Sequence, residues 1–294
     1  MATISEIVRC SVVSRIRIQT QSSTRCTGSR LRFGFTRWFG YGTVPSTRAA
    51  STPLRSTLLR SRRRVESVVA GGGPDIVFQP IVRARDGAIE GYEALSRFPA
   101  GGGDTEAWFA DAAQCGLGPA LDRSAAVKAL AESARLPGEC FVAVNLCAAT
   151  LLVDSALVDV LLDHGRRRPL VVEITEHAAL DDEAAVVAVL AELRRGGVTV
   201  AVDDVGSGYA GMRHLVVLEP QIIKLDAFVV HGMRDNRAKS ALAELVLEFA
   251  RKTDARCVLE GVETDEDLEA ATGIGADLLQ GYRIGRPAAV DLLV

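Results

Sequence analysis

Short apolar runs alternate with longer amphipathic stretches along most of the chain. Eight runs are rich in Val, Ile and Leu and are bounded by turn-forming residues, which is typical of buried strands. These runs are residues 76–82, 89–95, 141–145, 170–176, 198–204, 221–226, 256–260 and 276–280. The first two flank a turn at Arg85-Asp86-Gly87, and helical patterns that include residues 105–114 and 121–135 lie between later runs.

This order of elements predicts an α/β fold. Eight strands, the last six of them separated by helices, fit a closed (β/α)8 barrel of about 250 residues, with a doubly wound open sheet as the alternative. Polar residues end or nearly end seven of the runs, and they are Glu93, Asn145, Glu173, Asp203, Lys224, Glu260 and Gln280. Each could be a cap or a polar plug. Seven at one strand position favour a barrel, where such strand ends form the functional face.

The run that ends at Asp203 and Asp204 carries the strongest chemical signal. Two adjacent carboxylates at the end of a buried strand repel each other unless a cation or strong donors lie nearby, although one Asp could simply cap the next helix. The following residues, 206–211, match the G-x-G-x-x-G pattern of dinucleotide-binding folds. The preceding carboxylates would repel a pyrophosphate, so we interpret the glycines as a tight turn.

The strand ends supply oxygen ligands. Carboxylate and amide oxygens suit Mg²⁺ or Mn²⁺ better than Zn²⁺, and four of them are Glu93, Asn145, Glu173 and Asp203. Asp204 and Glu260 could hold a second ion with Asp203 as the bridge, as in paired-metal phosphodiester cleavage. Lys224 could neutralise charge on a phosphate or orient the attacking water.

Composition and charge narrow the range of partners. Residues 1–64 contain 13 Arg, no Lys and a single acid, whereas the rest of the chain has 21 basic and 36 acidic residues, a net charge of −15. An acidic body argues against duplex nucleic acid as a partner. The six cysteines form no C-x-x-C pair, and no apolar run approaches the ~20 residues of a membrane span. We expect a cytoplasmic protein.

The N-terminal part has the composition of a disordered segment. Residues 1–73 are rich in Arg, Ser and Thr, without a clear apolar period, and we predict a disordered basic tail before a domain at 74–294. A transit peptide, or upstream sequence read as protein, would have a similar composition.

Several motifs occur in order between residues 76 and 287. They are Glu93-Ala94-Leu95 with Arg97, Asn145, Glu173-Ile174-Thr175-Glu176, Asp203 to Tyr209, Lys224-Leu225-Asp226, Glu260-Gly261-Val262-Glu263, Gln280-Gly281-Tyr282 and Gly285-Arg286-Pro287. Together they resemble the EAL-domain family of cyclic di-GMP phosphodiesterases. The resemblance implies a modified TIM barrel whose first strand is antiparallel, and hydrolysis of cyclic di-GMP to linear pGpG with Mg²⁺ or Mn²⁺.

The resemblance also assigns roles to individual residues. Glu93, Asn145, Glu173 and Asp203 match ligands of a first metal ion, and Asp204 and Glu260 match the second site. Glu260 matches the proposed general base, Lys224 a residue beside the attacking water, and Glu176 a glutamate that steadies the loop after Asp204. The expected substrate contacts are Gln79, Leu95, Arg97, Gln280 and Pro287. Glu263, Gly206 and Gly208 match supporting positions.

Further expectations concern cofactors, partners and competing functions. We expect two ions, inhibition by Ca²⁺, and a homodimer. A non-catalytic cyclic di-GMP receptor is the main competing function. An NAD-type oxidoreductase is a third, and it depends on the glycine pattern alone.

Overall fold

In the computed structural model, which describes residues 52–99, 104–175, 182–206 and 211–293, eight strands form a closed barrel in sequence order. The strands are β1 (Asp75–Arg83), β2 (Ile89–Arg97), β3 (Phe141–Asn145), β4 (Leu170–Thr175), β5 (Thr199–Val205), β6 (Ile222–Leu225), β7 (Arg256–Leu259) and β8 (Leu278–Leu279). All eight predicted strands are confirmed. The open-sheet alternative is wrong, because β8 pairs with β1 and closes the sheet.

Strand β1 runs against both of its neighbours. It pairs antiparallel with β2 and with β8, whereas the pairs from β2 to β8 are parallel. The predicted turn at Arg85-Asp86-Gly87 makes this possible, because Gly87 adopts φ of 69° and Asp86 accepts a hydrogen bond from the N–H of Ala88. The antiparallel first strand is therefore confirmed.

Helices follow most of the strands. They are α1 (Thr52–Ala70), α2 (Thr105–Gln114), α3 (Gly118–Ser133), α4 (Ala148–Val153), α5 (Ser155–Gly165), α6 (Glu183–Arg195), α7 (Gly211–Leu218), α8 (Ala227–Val230), α9 (Arg237–Lys252) and α10 (Asp265–Gly273). Short 3-10 helices occupy Met233–Asp235 and Val290–Leu292. Polar residues cap several N-termini, for example Asp154, Asp182 and Thr264. The helices and the outer faces of the strands share one large apolar core.

A separate apolar layer fills the barrel interior. It consists of Ile81, Phe141, Ala143, Val171, Ala201, Ile222, Val258 and Leu278. The ring of Phe141 occupies the space over Gly91, where a Cβ would overlap it. The interior is thus packed with side chains and forms a floor beneath one barrel end.

Helix α1 occupies part of the segment that the sequence predicted to be disordered. Residues 52–70 were expected to belong to a disordered segment, but they form a helix that contacts α2 and α3. Val65 is fully buried in a small cluster with Trp108, Ala112 and Leu121. The Arg-rich composition hid this short apolar face, which packs against the Trp108 cluster. Residues 1–51 lie outside the described residues, so disorder there stays a prediction.

Candidate active site

Each polar residue predicted at a strand end lies two positions from an apolar residue of the barrel interior. Six pairs include a member of the interior layer: Ala143 and Asn145, Val171 and Glu173, Ala201 and Asp203, Ile222 and Lys224, Val258 and Glu260, and Leu278 and Gln280. Glu93 lies two positions from Gly91, over which the ring of Phe141 packs. On antiparallel β1 the order is reversed, and Gln79 precedes Ile81. Side chains two apart on a strand share a face, so all of these groups point inward above the apolar floor.

Lys224 lies at the centre of this polar layer. Its Nζ is 2.8 Å from Glu260 Oε1 and 2.9 Å from Glu173 Oε2. It is also 3.2 Å from one carboxylate oxygen each of Glu93 and Asp203. The Lys224 side chain is 1% exposed, and Glu260, at 16%, is the most exposed of its four partners. One buried ammonium thus joins carboxylates from four strands.

Amide side chains complete the layer on the side of β1 and β2. Glu93 accepts hydrogen bonds from Asn145 Nδ2 and from Gln280 Nε2, each at 2.7 Å. Gln280 also donates to Gln79 Oε1 at 3.2 Å, and Gln79 donates to the carbonyl of Gly285 at 3.1 Å. These donors fix the rotamer of Glu93. Gln280 thus supports the Glu93 carboxylate directly, and Gln79 does so through its hydrogen bond with Gln280.

A bulge explains how two consecutive Asp residues reach the site. The pairing of β5 with β6 shifts by one residue between Val202 and Val205, and Asp204 adopts φ of 60°. The N–H of Asp204 donates to its neighbour, Asp203 Oδ1, at 2.9 Å. Gly206 follows at φ of 104°, and a Cβ there would press on Val229. The predicted tight turn is borne out at Gly206, while Gly208 lies outside the described residues.

Burial and mutual repulsion dominate the electrostatics of the carboxylates. Burial raises the pKa of Glu173 and of Glu260 well above the usual range, and neighbouring carboxylates add to the effect. Burial also raises the pKa of Asp203. For Glu93 the same burial is outweighed by Lys224, Gln280 and Asn145, so its pKa is lowered. Glu93 is therefore the carboxylate that keeps its negative charge most firmly.

For Lys224, the neighbouring carboxylates outweigh the effect of burial on the pKa. Burial lowers the pKa of Lys224, but Asp203, Glu173, Glu260 and Glu93 outweigh it and raise the pKa well above its ordinary value. One positive charge remains too little for four carboxylates and the adjoining Asp204. When all of these carboxylates are ionised, the layer has an excess of negative charge, which protons or bound cations would offset.

Two groups of oxygen ligands are close enough to hold cations. Glu93, Glu173 and Asp203 bring one carboxylate oxygen each within 4.8 Å of one another, and so do Asp203, Asp204 and Glu260. Asp203 belongs to both groups, which is the arrangement expected for a bridging ligand. The donors are all oxygens, so they suit Mg²⁺ or Mn²⁺.

A cavity of about 620 Å³ adjoins the candidate metal ligands. Asn145, Asp203 and Asp204 line one part of it, and the predicted substrate contacts Leu95 and Arg97 line another. The rest of the lining comes from α2, α3 and neighbouring strands, including Glu106, Phe109, Asp122, Ala125, Ala126 and Ala129. The cavity is large enough for a nucleotide unit, and its wall is mainly apolar.

The sequence prediction missed Asp122 in this wall. Asp122 is buried and accepts hydrogen bonds from the N–H of Cys147 and from Thr150 Oγ1, in the segment that follows Asn145. Burial raises its pKa to about 6. A signal was present, because Asp122 shares a helix face with Ala125, Ala126 and Ala129, and a carboxylate on an apolar face is unusual.

Some predicted residues lie apart from the cluster. Glu263 is exposed and belongs to neither carboxylate group, and Pro287 is half-buried beside the segment that pairs with β1. Arg97 is exposed and donates to the carbonyl of Ser96 at 2.9 Å. Glu176 lies outside the described residues, so its role stays a prediction.

The EAL domain family model matches residues 62–287. The chain belongs to the EAL domain family. Its EAL domain is 31% identical over 229 residues to the probable cyclic di-GMP phosphodiesterase PdeG of Escherichia coli, an alignment that covers 74% of this chain and 45% of PdeG. The family-model match begins at residue 62, inside α1, which supports counting that helix with the domain.

Solved EAL structures share the fold. The PaMucR phosphodiesterase in complex with c-di-GMP superposes with a TM-score of 0.69 at 27% identity, covering 81% of this chain and 100% of that one. Klebsiella pneumoniae BlrP1, solved with manganese and cyclic di-GMP, gives 0.65 at 26% identity, covering 80% and 66%.

Two further observations bear on the whole protein. The chain spans 30% to 45% of the length of the first three curated relatives that it matches. Within the residues that the structure describes, no helix is both long and apolar enough to cross a membrane.

Proposed function

We propose that this EAL domain hydrolyses cyclic di-GMP to linear pGpG in a metal-dependent reaction. The observation that carries the proposal is the buried Lys224, held by four carboxylates beside a cavity that could admit a nucleotide. A charged cluster of this kind costs folding free energy, and burying it has no evident benefit to packing. Its use in phosphodiester chemistry accounts for that cost.

Glu260 would act as the general base. It is the most exposed of the four carboxylates around Lys224 and belongs to the second carboxylate group, where a water could lie beside both Glu260 and a bound cation. Lys224 would keep its proton throughout, because its pKa is raised. It would hold the Glu260 carboxylate in place and stabilise negative charge that develops on the phosphate.

The donor set fits two divalent cations. Glu93, Asn145, Glu173 and Asp203 would hold the first, and Asp203, Asp204 and Glu260 the second. Bound Mg²⁺ or Mn²⁺ would supply Lewis-acid chemistry, lowering the pKa of water and stabilising the leaving oxygen. Asn145 Nδ2 donates to Glu93, which leaves its amide oxygen available as a ligand. Ca²⁺, which accepts looser coordination, would bind and inhibit.

The cavity would hold one guanine of the substrate. Arg97 at its edge carries the positive charge that a phosphate needs, and Leu95 offers an apolar surface to a base. Gln79 and Gln280 would contact the nucleotide only if they released their hydrogen bonds to Gly285 and Glu93. Pro287 and Glu263 would act from outside the cluster, and Gly206 and Gly208 through the turn after β5.

Calorimetry and product analysis of Glu260→Gln test the proposal. Gln keeps the size of the side chain but removes the base and a metal ligand, so hydrolysis should fall by at least about 10². Binding of cyclic di-GMP in Ca²⁺ should stay within about tenfold of wild type, because the first metal group is intact. Wild-type protein that binds the nucleotide but forms no linear product would instead be a receptor.

We also propose a homodimer and a cytoplasmic location. Met212 and Val216 are exposed one turn apart on α7, an apolar pair that a second copy could cover. Light scattering of wild type and Val216→Asp tests this, with a shift toward monomer expected for the variant. Cys140 and Cys257 are buried free thiols, which supports a reducing compartment.

A further inference from the structure

A short series of ring contacts connects helix α1 to the cavity described above. Arg64 on α1 places its guanidinium carbon 4.2 Å from the ring centroid of Trp108 on α2. Its Nη2 also lies 2.7 Å from Asp111 Oδ2. The cation is thus held in one place by an ion pair and a ring face together.

Trp108 contacts both Arg64 and Phe98, the residue that follows β2. Its ring stacks on Phe98 with centroids 4.7 Å apart and planes within 10° of parallel, and it is 1% exposed. Among the described residues, the indole Nε1 finds no hydrogen-bond acceptor. Packing against Arg64, Phe98 and the surrounding apolar cluster therefore fixes the position of this ring.

Phe98 and Phe109 connect the series to the substrate side. Phe98 directly follows Arg97. The rings of Phe98 and Phe109 form a T-shaped contact with their centroids 5.7 Å apart. Both Arg97 and Phe109 line the cavity beside the metal ligands. The Arg97 side chain is exposed, and in the described structure it donates to the adjacent Ser96 carbonyl. The Arg97 backbone is paired with Asp75 of β1 at the end of β2. Phe98 is the first residue beyond that pairing, so its packing bears on how the end of β2 and the cavity wall at Phe109 are held.

We propose that Arg64 is a positioning residue for substrate binding, acting through Trp108 and Phe98 on Arg97 and on the cavity wall at Phe109. The proposal rests on the proposed function, since Arg97 and the cavity must bind the cyclic dinucleotide for it to hold. Arg64 neither lines the cavity nor belongs to the two carboxylate groups. Its effect should appear in KM and in nucleotide affinity, while the rate of the bound complex stays close to wild type.

Three variants of the full chain test the proposal. Arg64→Gln removes the cation from both contacts and should raise KM by about 3-fold to 10-fold with little change in kcat. Arg64→Lys keeps a cation near Trp108 and Asp111 and should recover much of that loss. Arg63→Gln changes an exposed neighbour on the same helix and should match wild type.

The outcomes separate this proposal from the proposed function. If wild type forms no linear product, the proposed function fails, and affinity for cyclic di-GMP in Ca²⁺ then decides on Arg64. If wild type is active and Arg64→Gln has an unchanged KM, the proposal is overturned. The same holds if Arg64→Gln only lowers the melting temperature. An equal loss in Arg64→Lys and Arg64→Gln would also overturn it.

Discussion

Lys224 Nζ, on β6, lies 2.8 Å from Oε1 of Glu260, the residue that directly follows β7, and both groups lie above the apolar floor of the barrel. The pair links the only described cation in the polar layer to its most exposed carboxylate. Three further carboxylates share the same ammonium. The stability of the metal-free protein should therefore depend on Lys224.

Lys224→Met should destabilise the metal-free protein by about 3–5 kcal/mol, because it leaves buried carboxylates without their cation. Chemical denaturation in chelator measures this. Mn²⁺ should restore part of the loss, since an ion that binds only the folded state stabilises it. Lys128→Met is the control, because its partner Asp75 is 91% exposed and such pairs contribute only about 0–1 kcal/mol. Equal losses in both variants would refute a central role for Lys224.

The strand ends were predictable from sequence because of the period of two along each strand. Ala143 and Asn145, or Ile222 and Lys224, alternate with outward residues, so the polar end of each apolar run had to share the interior face. Parallel strands then brought those ends together. The antiparallel β1 was the exception, and it required the resemblance to the family.

Other features depend on contacts that no local pattern encodes. Among residues 57–70 of α1, whose burial the structure describes, Val65 is the only fully buried one, and one such residue is too weak a period to distinguish the helix from an Arg-rich tail. The hydrogen bonds from Gln280 to Gln79 and Glu93 join residues more than 180 positions apart. The bulge at Asp204 appears only in the pairing with β6. Contacts between residues far apart in the chain determine these features.

Asp122 should make stability depend on pH in acid. Its pKa is about 6 in the folded protein and about 3.9 when unfolded, so the folded state holds a proton that the unfolded state has lost. The resulting stabilisation is fully present below about pH 4, falls as pH rises toward 6, and is lost above that, for a change of about 2–3 kcal/mol.

Asp122→Asn removes this titration but keeps an oxygen that can accept the hydrogen bonds from Cys147 and Thr150. Above pH 6 it should be at least as stable as wild type, and between pH 4 and 6 it should lose part of the downward slope. Urea denaturation at several pH values measures both effects. The exposed Asp159→Asn should behave like wild type. If Asp122→Asn keeps the whole slope, another group causes it.

Removal of N-terminal residues should have two distinct effects. Deletion of residues 2–51 should leave melting temperature and hydrolysis close to wild type, because their composition offers little apolar surface for a core. Deletion of residues 2–70 also removes Val65 and Arg64, so the melting temperature should fall by several degrees and KM should rise. Identical behaviour of the two truncated proteins would mean that α1 contributes nothing to the domain.

Gly281→Ala should disturb the support of Gln280. A Cβ at position 281 would overlap the backbone of Val262, whose N–H donates to the Gln280 carbonyl at 3.0 Å. We expect a loss of about 2 kcal/mol in unfolding free energy. Gly138→Ala, where a Cβ meets no neighbour within 4 Å, should change stability by less than about 0.5 kcal/mol. Similar values for the two variants would contradict the close approach.

The most direct test of the central claim is product analysis of the purified full chain incubated with cyclic di-GMP. With Mn²⁺ or Mg²⁺ we expect linear pGpG. With chelator, or with Asp203→Asn, which removes the shared ligand charge of both carboxylate groups, we expect none. Binding of cyclic di-GMP measured in Ca²⁺, together with no linear product in either Mg²⁺ or Mn²⁺, would contradict the account.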